Sequence, residues 1–128
     1  MKSKTVVLIL AGAFLFGMTV YAHHSFASTY DLNTQVKVEG KLVQFLFRNP
    51  HSFVHIEDAS GERWSIEWAG GGQLAGNGID RNTLKVGDPV VVSGNPTRTE
   101  GEHRLRMVTL KRTSDGLTWG TRQGETVQ

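Results

Sequence analysis

Between Val36 and Lys111 apolar and polar residues alternate in short runs broken by turn residues, and no window carries the period of a long helix. Such a pattern predicts an all-β domain. In "VKVEGKLVQFLF" Val36, Val38 and Leu42 share one parity while Val43, Phe45 and Phe47 share the other. The apolar face therefore changes sides near Leu42, as a bulge or bend in one long strand would make it, with Gly40 close by to permit it. "SFVHIED" sets Val54 and Ile56 against Phe53, His55 and Glu57. After an "ASGE" turn, "RWSIEWAG" puts Trp64, Ile66 and Trp68 on one face, where the tryptophans are expected to fill the core. A fourth strand is predicted in "LKVGDPVVVSG", with Val90 and Val92 inward after a Gly87-Asp88 turn, and a fifth over Arg104–Lys111.

Five strands, a first strand bent enough to pair twice, and the longest connection between strands three and four predict a small OB-like barrel. A helix commonly plugs such a barrel between strands three and four. Here "GGGQLAGNGIDRNTL" opens with four glycines in seven residues, each costing ~1 kcal/mol inside a helix. At most one short helix is expected there. The domain is placed at residues 34–112, after an arm at 23–33 and before a polar tail at 113–128 that is expected to be loosely docked or disordered, with Trp119 its only large apolar residue.

The segment before the arm changes the picture of charge. Lys2 and Lys4 precede an uncharged apolar run over Thr5–Val20, short for a bilayer span and suited to a signal peptide. Val20 and Ala22 occupy the small-residue positions of a peptidase site, so cleavage after Ala22 is expected to leave a periplasmic protein starting at His23, without a stable membrane anchor. Removing residues 1–22 takes the basic count from 14 to 12, equal to the 12 acidic residues. A neutral mature domain lacks the cationic excess that phosphate contacts need, which argues against a nucleic-acid partner. With no cysteine, stability rests on packing alone.

"HHSFASTYD" behind the apolar segment, a strand leading into "RNPH", a Trp-bearing hairpin and "LKVGDPVVVSG" together resemble a family of small exported proteobacterial proteins of unknown function. The resemblance implies an exported β domain and carries no activity with it.

All five histidines lie in the mature chain. A histidine at a free terminus offers its α-amino group and its imidazole to one metal, with reference pKa values near ~7.7–8.0 and ~6.5, so neither proton is costly to displace. His23 would supply that chelate, and His24 an additional nitrogen. With Met107 the single mature methionine and no thiolate, nitrogen and oxygen ligands favour copper as Cu(II). A third ligand would come from the barrel. His51 follows Pro50 at a rigid corner. His55 stands four residues on, ~13 Å away along one strand face, so only one of the two can join His23. His51 is preferred for its place at the barrel mouth.

Two other classes compete with this metal-binding reading. One is a non-metal interaction barrel whose face at Phe53, Trp64 or Trp68 takes a small ligand, a glycan or an exported protein partner. The other is a copper oxidase with an N-terminal histidine brace. No Ser-His-Asp spacing, paired-carboxylate motif or phosphate loop is evident, so no catalytic residue is assigned and a non-enzymatic role is preferred.

Overall fold

The computed structural model describes residues 26–120. Residues 26–29 form a helical turn. There follow β1 (Val36–Leu46), β2 (Phe53–Asp58), β3 (Arg63–Glu67), α1 (Gly71–Gly76), β4 (Pro89–Pro96), β5 (Arg104–Arg112) and β6 (Thr118–Trp119). The strands lie in the order β3-β2-β1-β4-β5-β6, and a parallel pairing of β3 with β5 closes the first five into a barrel. This is the five-stranded OB-like architecture that the alternation predicts. Among the described residues no helix is long and apolar enough to cross a membrane.

Strand β1 works in two halves. Val36–Lys41 pair with β4, Gly40–Leu46 pair with β2, and the register slips between Leu42 and Gln44. The slip is the face change read from the parity of the apolar residues. Before it Val38 and Leu42 point inward, and after it Phe45 lies opposite the buried Val54. Gly40 sits where both partners meet, and a Cβ there would stand 2.4 Å from the Glu57 carbonyl oxygen. Only glycine lets β1 be gripped from both sides at that point.

The interior is filled by Val38, Leu42, Val54, Ile56, Ile66, Val90 and Val92, joined by Trp68, Leu105 and Leu110. Two residues expected there sit at its margin. Val36 and Trp64 are half-buried and pack against the core from the end of the barrel. The Trp64 indole N–H donates to Asp58 Oδ2 at 3.0 Å and the ring lies 4.7 Å from His103. A polar partner for the indole and a ring-on-ring contact explain why this tryptophan stops short of the centre.

Helix α1 has six residues and no side-chain cap, in keeping with its glycines. Its anchor is Leu74, fully buried under the barrel. The tail behaves differently from the loose docking expected of it. Its described part turns at Asp115–Gly116 and pairs Thr118 and Trp119 with Lys111 and Leu110. The Trp119 ring then meets Trp68 edge-on at 5.0 Å. Leu117 and Trp119 both pack against the core, and the Arg112 N–H donates to the Leu117 carbonyl at 2.8 Å.

Candidate functional site

The corner between β1 and β2 is held by a dense set of backbone contacts. Ser52, fully buried, accepts from the Arg48 N–H at 3.2 Å and donates to the Arg48 carbonyl at 3.1 Å. Its own N–H donates to the Ala69 carbonyl at 3.1 Å, and the Trp68 N–H donates back to the Ser52 carbonyl at 2.8 Å. Glycines of the connection let the chain run against this corner: a Cβ on Gly70 would stand 2.5 Å from the Pro50 carbonyl oxygen. The same connection donates the Gly71 N–H to the Arg48 carbonyl at 2.9 Å and the Gly72 N–H to Asn49 Oδ1 at 3.2 Å. His51 is thereby carried on a fixed platform.

Glu67, at the end of β3, is 7% exposed. Its Oε2 accepts from the Tyr30 hydroxyl and from Arg104 Nη2, the latter at 2.9 Å, and its Oε1 meets His51 Nδ1. Four segments thus converge on one carboxylate: the arm through Tyr30, the corner through His51, β3 through Glu67 and β5 through Arg104. The arm is pinned independently. Tyr30 bridges to Thr97, the Asp31 N–H donates to the Pro96 carbonyl at 2.9 Å, and Arg98 Nε donates to the Ala27 carbonyl at 2.9 Å.

Electrostatics follow from this packing. Burial pushes the Glu67 carboxyl up, but hydrogen bonds from Tyr30, Arg104 and His51 outweigh it and hold the group below the usual carboxylate range. Burial and the adjacent Glu67 carboxylate push the Tyr30 phenol well above its ordinary value. The site at neutral pH is an ionised carboxylate facing one guanidinium, one phenol and one imidazole.

A cleft of about 270 Å³ opens beside this group, lined among others by Phe26, His51, Glu67, Trp68, Arg106 and Met107. The Phe26 ring stacks on His51 with centroids 5.5 Å apart and planes 22° apart. The Arg106 guanidinium also lies over the Phe26 ring, 4.8 Å from its centroid. The imidazole is fixed in plane by the aromatic ring and at one nitrogen by the carboxylate, with 40% of its side-chain surface open. Such a nitrogen base, backed by a carboxylate, is chemically suited to bind a metal ion or accept a proton.

The other histidines lie elsewhere. His55 is on the outer face of β2, its Nδ1 3.2 Å from Gln44 Oε1, and lines a separate groove of about 440 Å³ with Val43, Arg63 and Trp64. Burial, with Arg48 and Arg63 nearby, lowers its pKa. His103 pairs with Glu62 at 2.8 Å beside Trp64. His23, His24 and the expected cleavage after Ala22 lie outside the described residues. Among the described residues no group of three or more His, Cys, Asp or Glu side chains is placed to hold a metal. Sequence reasoning did not single out Phe26, Tyr30, Glu67 or Arg104. The available signal was a single acidic residue set between Ile66 and Trp68.

A family model described as a family of unknown function (DUF6152) matches residues 13–106. The chain belongs to this family. Its matched span runs from before the arm into β5 and takes in Phe26, Tyr30, His51, Glu67, Arg104 and Arg106, so the whole network lies inside it. No curated protein is significantly similar to the chain.

Proposed function

We propose that this barrel is an exported metal-binding module that takes Cu(II) through the His51 imidazole and the amino group and imidazole of a processed N-terminal His23, with His24 as the substitute ligand. The observation that carries the reading is the stacking of Phe26 on His51, which brings the arm to the one histidine among the described residues that is backed by a buried carboxylate. His23 stands three positions before Phe26, a reach of at most ~11 Å in extended chain. The donor set is nitrogen and oxygen, for which Cu(II) leads the divalent first-row ions. Buffering, carriage or sensing of the ion would each use such a site.

Intact-mass spectrometry of the exported protein with and without Cu(II) tests the cleavage site and the stoichiometry together. A mass beginning at His23 that gains one copper is expected. Copper titration with electron paramagnetic resonance then compares His51→Ala with His55→Ala. Outer-shell partners alone are worth ~10–100-fold in affinity, so losing His51 is expected to cost at least that, while His55→Ala leaves the spectrum unchanged.

A second reading is favoured by one observation. The groove beside His55 exposes part of Trp64 on the β2–β3 face, which barrels of this type use to bind ligands. Identical spectra for the wild type and both histidine variants would transfer the lead to a non-metal ligand or an exported protein partner at that groove.

A further inference from the structure

We propose that Glu67 is the positioning residue of this site: it holds His51 as the Nδ1–H tautomer, leaves Nε2 free for a metal, and takes a hydrogen bond from Tyr30 of the arm. The inference rests on the metal-binding reading for its purpose, but its geometry stands without a metal. An ionised carboxylate only accepts hydrogen bonds, and Arg104 Nη2 at 2.9 Å from Oε2 keeps this one ionised. The hydrogen between Oε1 and His51 Nδ1 therefore belongs to the imidazole. A histidine that ligates a metal is neutral, with one N–H and one lone pair, so the lone pair is at Nε2. Carboxylate-backed histidines of this kind are what fix ring orientation and ligand basicity in metal sites.

The second half of the role comes from Tyr30. It is 1% exposed, it belongs to the arm, and its hydroxyl shares Oε2 with Arg104. Tyr30 lies seven residues from His23. A single side chain of β3 thus contacts both the corner histidine and the arm. Its environment is already complete: both oxygens are engaged, one by imidazole and one by phenol and guanidinium, so a change of charge at Glu67 must be absorbed by one of those three partners.

Glu67→Gln makes the test specific because it is nearly isosteric. Tyr30 and Arg104 both donate, so they demand the amide oxygen at the Oε2 position and leave the NH₂ facing His51. Nδ1 must then accept, which moves the ring hydrogen to Nε2 and blocks it. Nitrogen-15 NMR of the imidazole in alkaline, metal-free protein, where the ring carries a single hydrogen, reads this directly. Nδ1–H is expected in the wild type and Nε2–H in Glu67→Gln. Copper affinity is expected to fall ~10–100-fold in Glu67→Gln. Tyr30→Phe, which removes the arm's hydrogen bond to Glu67 but not the ring's, is expected to keep Nδ1–H. A wild-type His51 carrying its hydrogen on Nε2 overturns the inference without any variant having to fold, and so does a Glu67→Gln protein with an unchanged tautomer. Equal copper affinity in wild type and His51→Ala, with the tautomers as expected, overturns the metal reading and leaves the tautomer assignment standing.

Discussion

Trp68 and Trp64 share a strand face in the sequence but differ in consequence. Trp68 is 4% exposed and touches Phe45 and Trp119, at centroid distances of 5.9 and 5.0 Å. Its replacement by alanine is expected to cost ~3–5 kcal/mol, the range for a buried aromatic. Trp64→Ala is expected to cost less, because the side chain is half-buried and leaves behind Asp58, which keeps hydrogen bonds from Ser60 and the Glu62 N–H. Urea unfolding midpoints for the two variants decide the order. A larger loss for Trp64→Ala would place it in the core after all. Alternation alone could not separate the two, since it reports the face of a strand and not the distance from the barrel's end.

At the scale of elements, the strands, the β1 bulge and the brevity of α1 were legible because each follows from local periodicity or glycine content. Strand β6 was not, since Leu117 packing on the core and Trp119 meeting Trp68, a contact across 51 positions, are carried by no local pattern. The site divides in the same way. His51 was legible from the proline corner that holds it. Glu67 was not: its parity opposite Ile66 and Trp68 puts it outside the barrel, and it is buried because Tyr30, 37 residues away, covers it. The glycine-rich connection looked like a weak helix and proves to be a packing surface as well. Gly70→Ala tests this, because its Cβ would lie 2.5 Å from the Pro50 carbonyl oxygen, a backbone atom that cannot swing aside. Overpacking of this kind costs ~1–3 kcal/mol, and the strain falls on the corner that carries His51. A lowered melting temperature together with shifted His51 NMR resonances is expected. A variant with parental stability and an unmoved His51 would show that the corner yields freely.

Across the whole molecule, the parallel β3–β5 pairing that closes the barrel is reinforced at its end by the Glu67–Arg104 ion pair, with His51 and Tyr30 on the same carboxylate. This ties closure of the fold to one charge and makes it pH-dependent. Burial opposes ionisation of Glu67, yet its hydrogen bonds hold the folded-state pKa below the ordinary value. A group whose folded pKa is depressed binds its proton more readily when unfolded, so its stabilisation is fully present above the unfolded glutamate value of ~4.3 and is lost as pH falls through the folded value. The urea midpoint of the wild type is therefore expected to change little with this group from neutral pH down to about 5 and to drop below that. Glu67→Gln removes the titrating group, so it is expected to start from a lower midpoint at neutral pH and to lose less on acidification. Asp88 also titrates in acid, its carboxyl held low by the Lys85 N–H and Arg112 against the effect of burial, but it acts equally in both proteins. The difference between the two curves isolates Glu67. Parallel curves through the acid range would mean that the barrel closes without help from this charge, and that the carboxylate is held for what it does to His51 and not for the stability of the fold.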